Sequence, residues 1–313
     1  MERSATPGRD AAAELPPALH SLLCRFLDWT ATGRPLAVNT LEAYRRDLLR
    51  YMSHLVAAGV ADPAEAAPAD VKSLLSRLES DGLSARTVAR NLSSIRRFHR
   101  FLQDSGANSP NPTDGFETPK LLRQPPDVLT FEETERLLSG PNSGDPLGLR
   151  DSAILELLYA TGLRVAELIG LGEQQLLLGA GLVRVAGKGA RERLVPVGRP
   201  AVAAVEVYLR EGRPFLAAPD SDDTVFLNAK GRPLSRMGLW KIIQAAARRA
   251  ALDKRVSPHT LRHSFAAHLL DGGASLRDVQ ELLGHTDIAT TQVYARIDPQ
   301  ALKEVHGTYH PRS

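Results

Sequence analysis

Leu182-Val183-Arg184-Val185-Ala186-Gly187-Lys188-Gly189-Ala190-Arg191-Glu192-Arg193-Leu194-Val195-Pro196-Val197 stands as a short β region in a chain that otherwise reads as helix. Branched apolar residues run on either side of Gly187-Lys188-Gly189, whose glycines permit the backbone angles of a hairpin turn. The stretch predicts a small antiparallel sheet and makes the fold mainly α. It also places Lys188 at the hairpin tip, exposed enough to reach a ligand, although a solubilising turn lysine has the same sequence signature.

Helices flank the hairpin on both sides. Thr130-Phe131-Glu132-Glu133 looks like a capped start to a helix reaching Leu138, and Arg150–Tyr159 is an apolar helix punctuated by Thr161-Gly162. Leu163–Ile169 begins another helical turn. After the hairpin come Ala201–Arg210, Arg236–Leu252, His259–Leu270, Ser275–Leu283 and Ile288–Ala295. Upstream, Ser109–Pro126 holds Pro110, Pro112, Pro119, Pro125 and Pro126, a density that stops helices and removes ladder donors. The expected organisation is a disordered tail over 1–17, a helical domain over 18–109, a proline-rich linker over 110–126 and a mixed α+β domain over 127–313.

The smaller domain reads as all helical. One helix covers about Leu19–Thr30, a second starts after Asn39 with Glu42 placed as in a capping box, and a third lies around Ala69–Asp81. In the fourth, Ser84–Gln103, the residues Val88, Leu92, Ile95, Phe98 and Leu102 share one face. Arg86, Arg90, Ser93, Arg97 and Arg100 share the other, with only Asp104 near the end to balance them. That stripe suits a phosphate backbone or is a solvated basic face; Arg45, Arg46 and Arg50 on the second helix favour DNA.

Composition sets broad limits. The chain is 43% hydrophobic and 24% charged, as in a soluble globular protein. A net charge of +3 and a pI near 9.1 fit a polyanionic partner, and the excess is rich in arginine, the residue suited to bidentate phosphate contacts. Cys24 stands alone, which excludes an intramolecular disulfide and a cysteine-rich zinc site. The first seventeen residues lack the apolar core of a signal peptide, and no apolar run reaches membrane-spanning length, so the expected location is cytoplasmic.

Cutting a phosphodiester without a metal needs fixed cations for the non-bridging oxygens, an in-line nucleophile and a proton for the leaving oxygen. Arg164 lies three residues before Glu167, on the same helical face, where the carboxylate could orient it. His259 and Arg262 are neighbours at a helix start, where free N–H groups favour anions. His285 follows a glycine that looks like a helix C-cap, and Tyr294 lies nine residues on. Each also has an ordinary reading: a surface ion pair, a polar helix end, a loop histidine, a core tyrosine. Competing chemistry fails. Leu182 occupies the first glycine position of a phosphate-binding loop, Thr260 stands where a His-Glu-x-x-His zinc site needs glutamate, and no Gly-x-Ser-x-Gly elbow occurs.

Taken in order, four phrases carry a resemblance. They are Thr161-Gly162-Leu163-Arg164-Val165-Ala166-Glu167-Leu168, then Lys188 in its glycine turn, His259-Thr260-Leu261-Arg262-His263, and Leu282-Leu283-Gly284-His285 followed by Tyr294. Together they resemble the tyrosine recombinases of the phage integrase family, nearest the bacterial Xer type, and Asn39–Leu48 resembles that family's N-terminal DNA-binding domain. The resemblance implies a SAM-like helical DNA-binding domain and an α+β catalytic domain closing as a C-shaped clamp around DNA. It implies that Arg164, His259, Arg262 and His285 surround the scissile phosphate, that Lys188 protonates the 5′-oxygen and that Tyr294 is the nucleophile. His259 would help take the tyrosine proton. It further implies double-stranded DNA at a specific recombination site as substrate, no metal or other cofactor, and a homo- or heterotetramer with a related recombinase. Asp298–Val305 would pack on a neighbouring subunit, a septal DNA translocase would regulate the reaction, and the outcome would be resolution of chromosome or plasmid dimers during cell division. An integrase of a mobile element, or a DNA-binding protein with a vestigial site, stands as the alternative.

Overall fold

Ser84 accepts the Thr87 N–H on its hydroxyl at 3.3 Å and so opens the amphipathic helix Ala85–Asp104. Its apolar face, Val88, Leu92, Ile95, Phe98 and Leu102, is buried. The computed structural model describes residues 15–33, 38–107, 110–117, 127–140, 144–186, 192–284 and 299–312. The chain falls into two compact units, Met1–Arg123 and Gln124–Ser313, divided inside the proline-rich stretch. Among the described residues no helix is long and apolar enough to cross a membrane.

The first unit is built from α1 (Pro17–Gly33), α2 (Val38–Ala57), α3 (Pro68–Ser80) and α4 (Ala85–Asp104). Phe26 is fully buried at its centre, with Tyr44, Phe98 and Phe101 edge-on at centroid distances of 5.8, 5.5 and 5.7 Å. Helix α2 is already formed at Val38, one residue before Asn39. A cap contributes only about 1 kcal/mol, a weak constraint beside the burial of Leu48, Tyr51, Met52 and Leu55 on the same helix. The charge balance of α4 also differs from the reading along its own sequence. Asp47 of α2 is fully buried; it forms an ion pair with Arg90 at 3.0 Å and accepts the Ser94 hydroxyl at 2.8 Å. Burial raises the Asp47 pKa, while the Ser94 bond and the charges of Arg90, Arg50 and Arg46 oppose the rise. Opposite, the Tyr51 hydroxyl and His99 Nε2 meet at 2.8 Å inside the core.

The second unit surrounds α6 (Pro146–Thr161), following α5 (Phe131–Ser139). Thr130 and Glu133 form the expected reciprocal cap of α5, with bonds of 3.2 and 2.8 Å. Helix α6 is apolar all round because it is covered all round: Ile154, Leu155, Leu157, Leu158 and Tyr159 are at most 1% exposed. After α7 (Val165–Ile169) comes a sheet of order β1-β2-β3, from β1 (Leu176–Leu177), β2 (Leu182–Ala186) and β3 (Glu192–Pro196). The β2–β3 pairing is antiparallel, with Val183 opposite Val195 and Val185 opposite Arg193. Strand β1 has two residues, too few for an alternating pattern to declare itself.

Helix α8 (Arg199–Val207) passes through a π-helical turn, Tyr208–Gly212, into α9 (Arg213–Leu216). Pro214 has no N–H to give the Arg210 carbonyl, so the regular ladder cannot continue through it, and the helix read as ending at Arg210 widens and runs on. Three helices, α10 (Arg236–Arg249), α11 (Pro258–Asp271) and α12 (Leu276–Leu283), precede the C-terminal α13 (Pro299–Tyr309). The segment Ile288–Ala295, read as helix, lies outside the described residues. In the single chain α13 packs on its own unit, where the resemblance placed Asp298–Val305 on a neighbour. Val305 and Tyr309 pack against the cluster around Phe265, and His306 Nε2 meets the Ala160 carbonyl at 2.9 Å. The His306 and His310 rings stack at 4.5 Å, and Arg312 pairs with Glu135 at 2.6 Å and with Glu156 at 2.7 Å.

Gly162 ends α6 at φ +57°, and an added Cβ would lie 2.6 Å from Phe265 Cδ1 and 2.9 Å from Leu283 Cδ2. Gly162→Ala should therefore cost about 1–3 kcal/mol in urea unfolding; an unchanged midpoint would show that the close approach is not felt. Burial also holds His99 down to about 4 and His310 down to about 3, the latter aided by the His306 charge. Above the ordinary histidine pKa of 6.5 the folded and unfolded chains are both neutral there. Below it the unfolded chain takes up protons that the folded core refuses, so stability falls as pH drops toward 4 and then 3. The melting temperature should decline from about pH 7 to about pH 4, less steeply in His310→Phe; identical slopes would remove His310 from the account.

Candidate active site

Gly162 turns the chain sharply at the end of α6 and delivers Arg164 to the cap position of α7. Its backbone N–H donates to Glu167 Oε2 at 2.8 Å, and its guanidinium donates to Glu167 Oε1 at 3.0 Å and to the Gly284 carbonyl at 3.0 Å. Arg262, in the second turn of α11, is only 7% exposed; it donates to the Gly162 carbonyl and, at 2.6 Å, to that of Leu283. Both arginines are thus held by carbonyls at the C-terminal ends of α6 and α12, where helix dipoles place negative charge.

A third arginine completes the cluster. Arg193 of β3 grips Glu167 with both terminal nitrogens, at 2.9 Å to Oε1 and 3.0 Å to Oε2. Burial works against ionisation of Glu167, but the bonds from Arg193 and Arg164 outweigh it and hold the carboxyl below its usual range. Burial pushes Arg262 down to about 10, and the nearby charges of Arg164 and Arg193 push the same way while Glu167 opposes them. The group stays cationic at neutral pH. Positive charge is therefore concentrated beyond what the single carboxylate cancels, which is the electrostatic condition for receiving an anion.

Ser257 caps α11 by accepting the Thr260 N–H at 3.1 Å, and this sets His259 in the first helical turn, exposed and one turn ahead of Arg262. His263 is also exposed; burial first, then the His259 and Arg262 charges, lowers its pKa. The structure thus brings Arg164 and Arg262 together, joined through the two ends of the Leu283-Gly284 dipeptide. Lys188, His285 and Tyr294 lie outside the described residues; in sequence, Lys188 falls in the β2–β3 connection and His285 directly follows Gly284.

Arg193 was not singled out from sequence, although a signal existed. It lies two residues before Val195, on the strand face that is buried, and an arginine on a core-facing position needs a partner. The carbonyl acceptors at Gly162, Leu283 and Gly284 carry no side-chain signature at all.

Six arginines of the first unit divide into two groups. Arg45, Arg46, Arg86 and Arg100 are exposed. Arg90 is tied to Asp47, and the Arg97 guanidinium lies over the Trp29 and Tyr44 rings at 5.5 and 5.9 Å from their centroids.

Known proteins give the geometry its context. Residues 127–301 match the phage integrase family and residues 23–106 match the phage integrase N-terminal SAM-like domain. The tyrosine recombinase XerD of Chlorobaculum tepidum is 49% identical over 290 residues, covering 92% of this chain and 95% of that one. XerD of Listeria monocytogenes serotype 4b is 44% identical over 297 residues, covering 94% of this chain and all of that one. Among solved structures, XerH site-specific recombinase bound to difH substrate in a pre-cleavage complex superimposes with a TM-score of 0.67 at 21% identity, covering 97% of this chain and 98% of that one. A lambda integrase dimer bound to a COC′ core site gives 0.66 at 20% identity, covering 90% of this chain and 99% of that one. At such identities the structural likeness concerns the fold: a helical N-terminal domain and a catalytic domain with a small antiparallel sheet. The sequence likeness goes further, because one profile spans more than half of the chain and the XerD relatives align over nearly all of it. On that ground the chain belongs to the phage integrase family, as a tyrosine recombinase of the XerD type.

Proposed function

We propose that the chain cuts and rejoins duplex DNA at a specific site through a 3′-phosphotyrosyl intermediate. The observation that carries this reading is the arginine cluster: Arg164 and Arg262 are fixed by main-chain carbonyls and Glu167 before any anion arrives. Cations set in advance stabilise the charge that builds on the non-bridging oxygens without reorganising during the step. In this reading Arg164, Arg262 and His285 meet those oxygens, and the Tyr294 hydroxyl oxygen attacks phosphorus with His259 taking up its proton. The phosphorus–O5′ bond breaks as the tyrosyl ester forms, and Lys188 protonates the departing oxygen. The ester keeps the energy of the broken bond, so a 5′-hydroxyl from a partner strand can displace the tyrosine and seal a new junction. The chemistry balances without a metal or nucleotide.

The remaining assignments belong to the same proposal. Residues 18–109 serve as a DNA-binding domain joined through 110–126 to the catalytic domain 127–313, with exposed Arg45, Arg46, Arg86 and Arg100 meeting phosphates. Arg90 and Arg97 contribute from positions already engaged within their unit. Two duplexes exchanged this way need four active sites, hence a tetramer of this chain or of this chain with a related recombinase. Likeness to XerD proteins supports resolution of chromosome dimers over integration of a mobile element as the biological outcome, with a septal DNA translocase as regulator.

A duplex recovered by binding selection from a random pool, nicked beside the cleavage point so that religation fails, tests the chemistry. The native chain should accumulate a covalent adduct, and Tyr294→Phe should bind equally but form none. Arg262→Ala should slow adduct formation by roughly 100-fold or more. A native chain that binds and never forms the adduct would overturn the proposal. For the first unit, Arg86→Ala and Arg100→Ala should each weaken binding on all sequences and reduce the slope of log affinity against log salt by about 1. Unchanged slopes would remove those two from the DNA surface.

A further inference from the structure

Glu167 poses a difficulty for the site that holds it. A carboxylate beside Arg164 orients the guanidinium, but it also cancels the charge that the scissile phosphate requires. The bond pattern contains the answer. Glu167 is met by four N–H groups, two from Arg164 and two from Arg193, and the Arg193 pair is the bidentate one. The two side chains of the Arg193–Glu167 pair are 18% and 10% exposed, so solvent screens it little, whereas the Arg164 side chain is 44% exposed and reaches toward open solvent.

We infer that Arg193 is a positioning residue for strand cleavage: it takes up the charge of Glu167, so that Glu167 orients Arg164 without neutralising it. This rests on the reading of the cluster as a phosphodiester-cleaving centre. With Arg193 present, three guanidiniums face one carboxylate; without it, Glu167 turns wholly onto Arg164 and only Arg262 keeps an uncancelled charge. Arg193 lies close enough to depress the Arg262 pKa directly, so its charge is felt across the cluster. Its place is also fixed from two sides. On β3 it pairs with Val185, and its guanidinium lies against Gly284, where an added Cβ would come within 3.0 Å of Arg193 Cζ and Nε. Gly284 is at φ +61°, and its carbonyl is the one that holds Arg164. One side chain therefore links the strand, the Arg164–Glu167 pair and the end of α12.

The test compares adduct formation on two nicked duplexes. One carries the ordinary scissile phosphodiester; the other carries a methylphosphonate there, which lacks the negative charge. Arg193→Ala should slow the ordinary duplex on the order of 100-fold relative to the native chain, and the methylphosphonate duplex by less than about 5-fold. The variant should bind DNA with native affinity. Arg193→Lys keeps the charge but loses the fork; it should lose about 10-fold on the ordinary duplex, with the deficit again shrinking on the uncharged one. It serves as the readout if the alanine variant does not fold. An equal deficit on both duplexes would assign Arg193 a merely structural role and overturn the inference, as would a native rate on the ordinary duplex. Absence of an adduct with the native chain on the ordinary duplex would instead overturn the proposed function.

Discussion

Cations that are to meet a phosphate must sit close together before it arrives, and like charges at that range repel. The second unit resolves this by supplying acceptors around the cluster. Glu167 is shared by Arg164 and Arg193, while the ends of α6 and α12 offer carbonyls to Arg262 and Arg164. Five elements must converge for that to happen: α6, α7, β3, α11 and α12. The apolar core of the unit, including Phe265 beneath Gly162 and Leu283, is what brings them there. Packing and electrostatics are thus coupled, because the residues that close the core also aim the carbonyls.

The first unit uses its arginines differently. Arg90 pairs with a carboxylate whose pKa burial raises, and Arg97 spreads over Trp29 and Tyr44 at the edge of the aromatic cluster. Both therefore help to fix α4 against α1 and α2. Arg86 and Arg100, toward the two ends of the same helix, stay exposed. A single basic face thereby joins helix packing to a cationic surface.

Periodicity made the helices and the hairpin legible, since apolar spacing reports directly on which face is buried. The α4 stripe and the alternating valines of β2 and β3 are examples. Motif order made the family legible. What stayed hidden was cross-element compensation. Asp47 and Arg90 are far apart in sequence, so the balance of α4 could not be read along α4 itself. The π turn after Val207 was unannounced because its cause, Pro214, lies beyond the apparent helix end. Strand β1 was too short to carry a pattern, and Asn39 looked like a cap because its preference is local while the packing that starts α2 earlier is not. At the site, Arg164 and Arg262 were legible as residue types in a spacing; the acceptors that hold them are backbone atoms, which every residue possesses.

A carbonyl oxygen does not titrate, so the hold on Arg262 does not change with pH until the guanidinium itself approaches its pKa of about 10. Burial works against the charge on the titrating acceptor, Glu167, but its two arginines hold the carboxyl below its usual range. Nor can the carbonyls be deleted by a side-chain substitution, since any residue in place of Leu283 would carry the oxygen that meets Arg262. The arginine scaffold is therefore written in the path of the main chain. A substitution reaches the cationic cradle by moving that path, as one in the core around Gly162, Phe265 and Leu283 would.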